Sequence, residues 1–107
     1  MYLKLNKNAV ETLQHNIEPL TEEELTDIID VQNLTNGMVA AIFEVSHSTA
    51  ALWFDSGDLF GYRLPGSNER RIPKRALISF ITGRNIPIYA NHLIKLSQKP
   101  LTNKKKQ

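Results

Sequence analysis

Apolar positions recur along this chain in short helical stripes, and the polar residues between them supply start and stop signals. Near the N-terminus Val10, Leu13 and Ile17 fall on one helical face. That helix is expected to begin at Asn8, whose side chain caps while Glu11 answers three residues later. It should end at Glu18-Pro19, because a residue before proline is pushed out of helical dihedrals. Thr21-Glu22-Glu23-Glu24 is a stronger start signal: Thr21 and Glu24 can exchange capping hydrogen bonds, and Leu20 and Leu25 stand where a hydrophobic staple closes. Leu25, Ile28 and Ile29 give the second helix a narrow apolar stripe, and its acidic first turn suits the positive helix end.

From Leu34 the texture changes. Two short helix patterns stand almost end to end, one capped by Thr35 and one by Ser46, with only Glu44 and Val45 between them. Val39, Ile42 and Phe43 stripe the first; Ala50, Trp53 and Phe54 stripe the second, which Gly57 stops as a left-handed cap. Two helices across so tight a turn make a helix-turn-helix unit. Next, "LFGYRL" and "RRIP" read as extended segments joined through Pro65-Gly66-Ser67-Asn68, a hairpin with a longer loop. Helical spacing resumes from Lys74 to Thr82, with Ala76, Leu77, Phe80 and Ile81 apolar and Gly83 as the stop. After Pro87 a short helix is expected from Tyr89 to Leu96, and the aperiodic tail from Lys99 to Gln107 is expected to be disordered.

Composition narrows the class. The 107 residues are 41% hydrophobic and 22% charged, a globular balance with room for one domain plus extensions. The absence of cysteine excludes disulfide and thiolate chemistry. No run approaches the ~18 apolar residues of a membrane helix, and "MYLKLNKN" has no signal-peptide core, so a cytoplasmic protein is expected. His15, His47 and His92 share no ligand spacing, so no metal or other cofactor is expected. Ser46 has no base with an orienting partner nearby, so it reads as a cap and no enzymatic activity is expected.

Charge separates the chain into unlike parts. Residues 1–33 carry two lysines against seven carboxylates, a net −5, so residues 34–107 hold +7 of the overall +2. The expected organisation is an acidic helical N-terminal extension over residues 1–33, a basic unit over 34–87, and a C-terminal extension over 88–107 ending in a basic tail. Such asymmetry points to nucleic acid as a partner of the basic part.

The order helix, tight turn, helix, two-stranded hairpin, helix carries a resemblance. "LTNGMVAAIFEVSHST" followed by "WFDSGDLFGYRLPGSNERRIPKRALISFI", Leu34 to Ile81, resembles the excisionase-like branch of the MerR-type winged helix-turn-helix DNA-binding domains. The ordered set Ser46, Thr49, Trp53, Ser56-Gly57, Gly61-Tyr62-Arg63 and Arg70-Arg71-Ile72-Pro73 carries it. The resemblance implies a mainly α fold with a small β-hairpin wing, here with an extra N-terminal helical segment. It also implies binding to double-stranded DNA, with Ser46 to Ser56 in the major groove and the Arg63 to Arg71 wing along the backbone or minor groove. The candidate DNA contacts are Thr35, Ser46, His47, Ser48 and Thr49 at the helix starts, and Arg63, Arg70, Arg71, Lys74 and Arg75 around the hairpin. Arginine suits a wing because its planar fork grips phosphate bidentately.

The chain also departs from that pattern. Glu44 stands where such turns usually hold glycine, which predicts a left-handed glutamate costing on the order of 1 kcal/mol. The outer face of the second helix, His47, Ser48, Ala51 and Leu52, lacks a strong cation, so base reading is expected to be weak or to rest on thymine methyl groups. Met38, Ala41, Ala51 and Leu52 are expected to make the outside of both helices apolar, a surface that the acidic segment Thr21 to Asp30 can cover or offer to a neighbour. The functional expectation is a small sequence-specific transcriptional regulator. The alternatives are a DNA-bending recombination accessory factor and a protein-interaction module that kept the winged fold without base readout. A dimer or a head-to-tail array is expected on DNA, with residues 1–33 as the contact to another copy or another protein.

Overall fold

Six helices, the first four opened by side-chain caps, and three short strands make up residues 3–98, the residues that the computed structural model describes. In order they are α1 (Lys7–Leu13), α2 (Glu22–Ile28), β1 (Asn33–Leu34), α3 (Asn36–Phe43), α4 (His47–Ser56), β2 (Tyr62–Arg63), β3 (Arg70–Pro73), α5 (Lys74–Gly83) and α6 (Ala90–Ser97). The architecture is therefore mainly helical with a small antiparallel sheet. No described helix is long and apolar enough to cross a membrane. The tail from Lys99, where disorder is expected, lies outside the described residues.

The N-terminal segment departs most from expectation. Asn6, not Asn8, caps α1, its Oδ1 accepting from the Ala9 N–H at 3.0 Å. The reason is tertiary: the Asn6 N–H donates to the Ile28 carbonyl at 2.9 Å and Leu5 bridges Ile29, so the chain is tied to the end of α2 before the helix begins. α1 then stops at Leu13 instead of running to Pro19, and Asn16 turns the chain by accepting from the Glu18 N–H at 2.9 Å. Ile17 is consequently 84% exposed and does not continue the Val10–Leu13 face. At α2 the expected capping box is present, with Thr21 Oγ1 accepting from the Glu24 N–H at 3.1 Å and Glu24 Oε1 from the Thr21 N–H at 2.9 Å.

Residues before Leu34 are no detached appendage. Leu3, Leu13, Leu20, Leu25, Ile28 and Ile29 lie in the same buried cluster as Val39, Leu77, Phe80 and Leu93. α2 packs on α5 and α1, and α1 also meets α6, so the acidic segment does not cover the outer face of α3 and α4. β1, too short to show alternation in the sequence, pairs antiparallel with β3 and sets Leu34 opposite Ile72, both fully buried. β2 pairs with the other edge of β3, giving the order β1-β3-β2 and the register Tyr62 opposite Arg71 and Arg63 opposite Arg70.

A cluster of rings holds α3, α4 and α5 together. Phe43 meets Trp53 edge-on at 5.4 Å and Phe80 at 5.6 Å, and Trp53 lies 5.1 Å from Phe80. Trp53 is half-buried and packs against the core from its edge, on the face its helical spacing predicts. Met38 is buried, contrary to the expectation that it faces outward. Ala41 is half-covered, because α6 packs on α3 and His92 Nε2 donates to the Ala41 carbonyl at 3.0 Å. α5 ends at Gly83 and the chain reverses two residues later at Asn85, φ 53°, a residue type that tolerates left-handed dihedrals.

Candidate nucleic-acid interface

The reversal between α3 and α4 takes one left-handed residue. Glu44 has φ 57° and ψ 45°, and its N–H points back to the Ala40 and Ala41 carbonyls. The Val45 N–H donates to Ala40 at 3.0 Å, and Ser46 then opens α4 with its Oγ accepting from the Thr49 N–H at 3.1 Å. The hydroxyls of Ser46 and Thr49 also share a hydrogen bond at 3.0 Å.

This tight return lays the first turns of α3 and α4 side by side. Thr35 caps α3 by accepting from the Met38 N–H at 3.1 Å. Beside it, Asn36 Nδ2 donates to the His47 carbonyl at 3.0 Å. Gly37 makes room for the imidazole: a Cβ there would lie 3.3 Å from His47 Cε1. The free N–H groups of two helix starts are thereby brought to one end of the pair. His47 and Ser48 are exposed there, whereas Thr49 is half-buried. Along the outer face, Ser48, Leu52 and Asp55 follow at helical spacing; Leu52 is 64% exposed, and no cation stands among them.

The hairpin of β2 and β3 docks on the opposite end of α4. Gly57, φ 88°, ends that helix, and the Leu59 N–H donates to the Trp53 carbonyl at 3.0 Å while the Leu59 side chain is buried. Gly61 permits the closest approach: a Cβ there would lie 2.6 Å from Phe54 Cε2 and 2.7 Å from the Arg71 carbonyl oxygen. The two opposed arginines then reach across to α4. Arg63 Nη2 lies 3.2 Å from Asp55 Oδ1, and Arg70 Nη2 lies 3.4 Å from Asp55 Oδ2. Both guanidinium groups sit over the Phe54 ring, at 5.7 and 5.4 Å from its centroid. Arg71 pairs instead with Glu69 at 3.1 Å, on the loop beneath the hairpin tip.

The residues expected to contact DNA therefore fall into three groups. Thr35, Ser46, His47, Ser48 and Thr49 gather at the joined helix starts, with Thr35 and Ser46 also serving as caps. Arg63, Arg70 and Arg71 gather on the hairpin, two of them tied to α4. Lys74 and Arg75 do not join either group. The Lys74 ammonium donates to the Ile29 carbonyl and holds the start of α5 against the end of α2. Arg75 is exposed and lines a groove with Glu22, Gln32 and Ser79.

Asp55 and Phe54 are the partners that sequence reasoning missed as members of this cluster. Asp55 lies eight residues from Arg63 and fifteen from Arg70, spacings that mean nothing until the hairpin folds back. The usable signal is the register, since placing Arg63 opposite Arg70 concentrates two like charges that require an acceptor. Among the described residues no group of three or more metal-ligating side chains occurs.

Comparison with models of protein families, with curated proteins and with solved structures finds no match to this chain.

Proposed function

We propose that this protein binds double-stranded DNA as a winged helix-turn-helix, with α4 as the helix presented to the major groove and the β2–β3 hairpin as the wing on the adjacent backbone. The observation that carries the reading is the hairpin docked on the end of α4 with Arg63, Arg70 and Arg71 on its strands, beside an outer α4 face that no described part of the chain covers. A major groove ~12 Å wide accepts one α-helix. Duplex DNA carries one negative charge per ~1.7 Å of axis, so arginines fixed on a rigid strand pair gain affinity by releasing counterions.

The arrangement divides the labour. At the helix starts, backbone N–H groups and the side chains of His47 and Ser48 meet phosphate or a base edge. Leu52 supplies apolar contact to a thymine methyl. The hairpin supplies most of the affinity. A regulator of transcription that binds as a dimer or as neighbouring copies fits this division, because a single α4 reads little sequence.

Titrating a labelled duplex at several salt concentrations tests the reading. Affinity should fall steeply with salt, and Arg70→Ala and Arg71→Ala should each lower the slope of log K against log salt by roughly one if the residue contacts phosphate. Wild type and the combined Arg70→Ala/Arg71→Ala variant behaving alike, with no binding at low salt, would overturn it.

A second reading has one observation in its favour: Leu52, 64% exposed beside half-buried Ala51, with no cation on that face of α4. Under this reading the face contacts another protein and the winged form is only a scaffold. Leu52→Asp then abolishes partner binding, while duplex affinity is negligible in every variant.

A further inference from the structure

We infer that Asp55 is an internal competitor for phosphate, an acidic brake built into the proposed DNA-binding surface. The inference rests on the duplex-binding reading and concerns its regulation. A single carboxylate is shared by two guanidinium groups, Arg63 at 3.2 Å and Arg70 at 3.4 Å, which reduces the charge of the cluster from two to one. The side chain of Asp55 is half-exposed, so it stands at the surface that a phosphate group would approach.

The hydrogen-bond pattern leaves the arginines able to change partners. Asp55 engages only Nη2 of each guanidinium, and no fork-to-fork pair is made. A guanidinium gripping a carboxylate through one nitrogen is held less firmly than one gripped bidentately, so its exchange of that carboxylate for a phosphate oxygen costs less. When duplex arrives, at least one arginine exchanges Asp55 for a phosphate oxygen, and Asp55 repels the same phosphate. Part of the charge attraction is thus offset by a side chain of the protein itself.

The hairpin does not need Asp55 to stay in place. Ile72 is fully buried, Gly61 lies against Phe54, and β3 is paired on both edges. Both arginines also keep the Phe54 ring beneath them. Removing the negative charge therefore frees the arginines without releasing the hairpin.

The experiment compares full-length wild type and Asp55→Asn on one mixed-sequence duplex by fluorescence anisotropy across a salt series, with a melting curve for each protein. Asp55→Asn should bind roughly tenfold tighter at about 50 mM salt and steepen the log K against log salt slope by roughly one, the effect of one further released counterion. In an Arg63→Gln/Arg70→Gln background the gain from Asp55→Asn should shrink to the part that comes from direct repulsion between the carboxylate and phosphate, and an undiminished gain would overturn the competition. Asp55→Ser repeats the comparison if Asp55→Asn folds poorly; failure of both to melt cooperatively would overturn the claim that the hairpin stands without the carboxylate. Wild-type binding with salt dependence but no gain from Asp55→Asn overturns the brake and leaves the duplex reading intact. Binding by Asp55→Asn alone supports both, and no binding by either protein overturns both.

Discussion

The acidic segment around α2 and the arginine-bearing hairpin each carry dense charge of one sign, yet they are held to the molecule on opposite terms. α2 shows its glutamates to solvent and drives Leu25, Ile28 and Ile29 fully into the core beneath them. The hairpin buries only Ile72 completely, and its outer strand reaches the body through Gly61, the Phe54 ring and a half-exposed carboxylate. Net charge thus says which surface is wet and nothing about whether an element is peripheral. What decides is the apolar residue every third or fourth position under the charge.

The comparison breaks most visibly at α2. Ile28→Ala should destabilise the whole protein by about 2–5 kcal/mol, read as a lower urea midpoint, because its side chain is fully buried in the shared cluster. Deleting residues 1–33 should abolish cooperative melting outright, where a detachable arm would leave the transition unchanged. On the hairpin, Gly61→Ala should cost about 1–3 kcal/mol, since the added Cβ would press on both Phe54 and the Arg71 carbonyl. If the duplex reading holds, its effect on affinity should exceed its effect on stability, as the hairpin would be pushed away from α4.

Smaller changes sharpen the contrast. Glu44→Gly should stabilise by about 1 kcal/mol by relieving a left-handed residue, visible as a rise in melting temperature. The exposed contact between Glu44 and His92, 3.6 Å apart, offsets little of that gain. Arg71→Gln should change stability least, within about 1 kcal/mol, because its pair with Glu69 is solvent-exposed. If the duplex reading holds, its salt slope should nonetheless fall by roughly one.

How much could be read from the sequence follows the range of the interactions. Thr21, Thr35, Ser46 and Gly57 act within three residues of themselves, and these four expected caps are present. The hairpin was legible for the same reason, since turn chemistry is local, whereas the left-handed Glu44 was expected only because the turns it resembles usually hold glycine there. Asn6 displaced Asn8 as a cap because Ile28, twenty-two residues away, fixes where the first helix starts. β1 escaped notice because two residues show no period, and its partner lies across α3, α4 and β2. Lys74 was legible as a cation but not as a tie to Ile29, and Asp55 was legible as surface charge but not as the shared acceptor of two arginines. The candidate surface was therefore legible as composition, while its internal wiring depended on contacts that only the folded chain makes.

The sheet order β1-β3-β2 makes the hairpin a cantilever rather than a hinged flap. Its inner strand is clamped along the far edge by β1, and the Lys74 N–H donates to the Gln32 carbonyl at 2.9 Å just beyond. A load on the tip at Gly66 is consequently passed through β3 into the floor of the molecule, and within the hairpin it is β2 that has an edge free to fray. Amide hydrogens bonded between β1 and β3 should outlast those between β2 and β3 in hydrogen exchange, with a lever arm that bends at its outer strand while its root stays fixed.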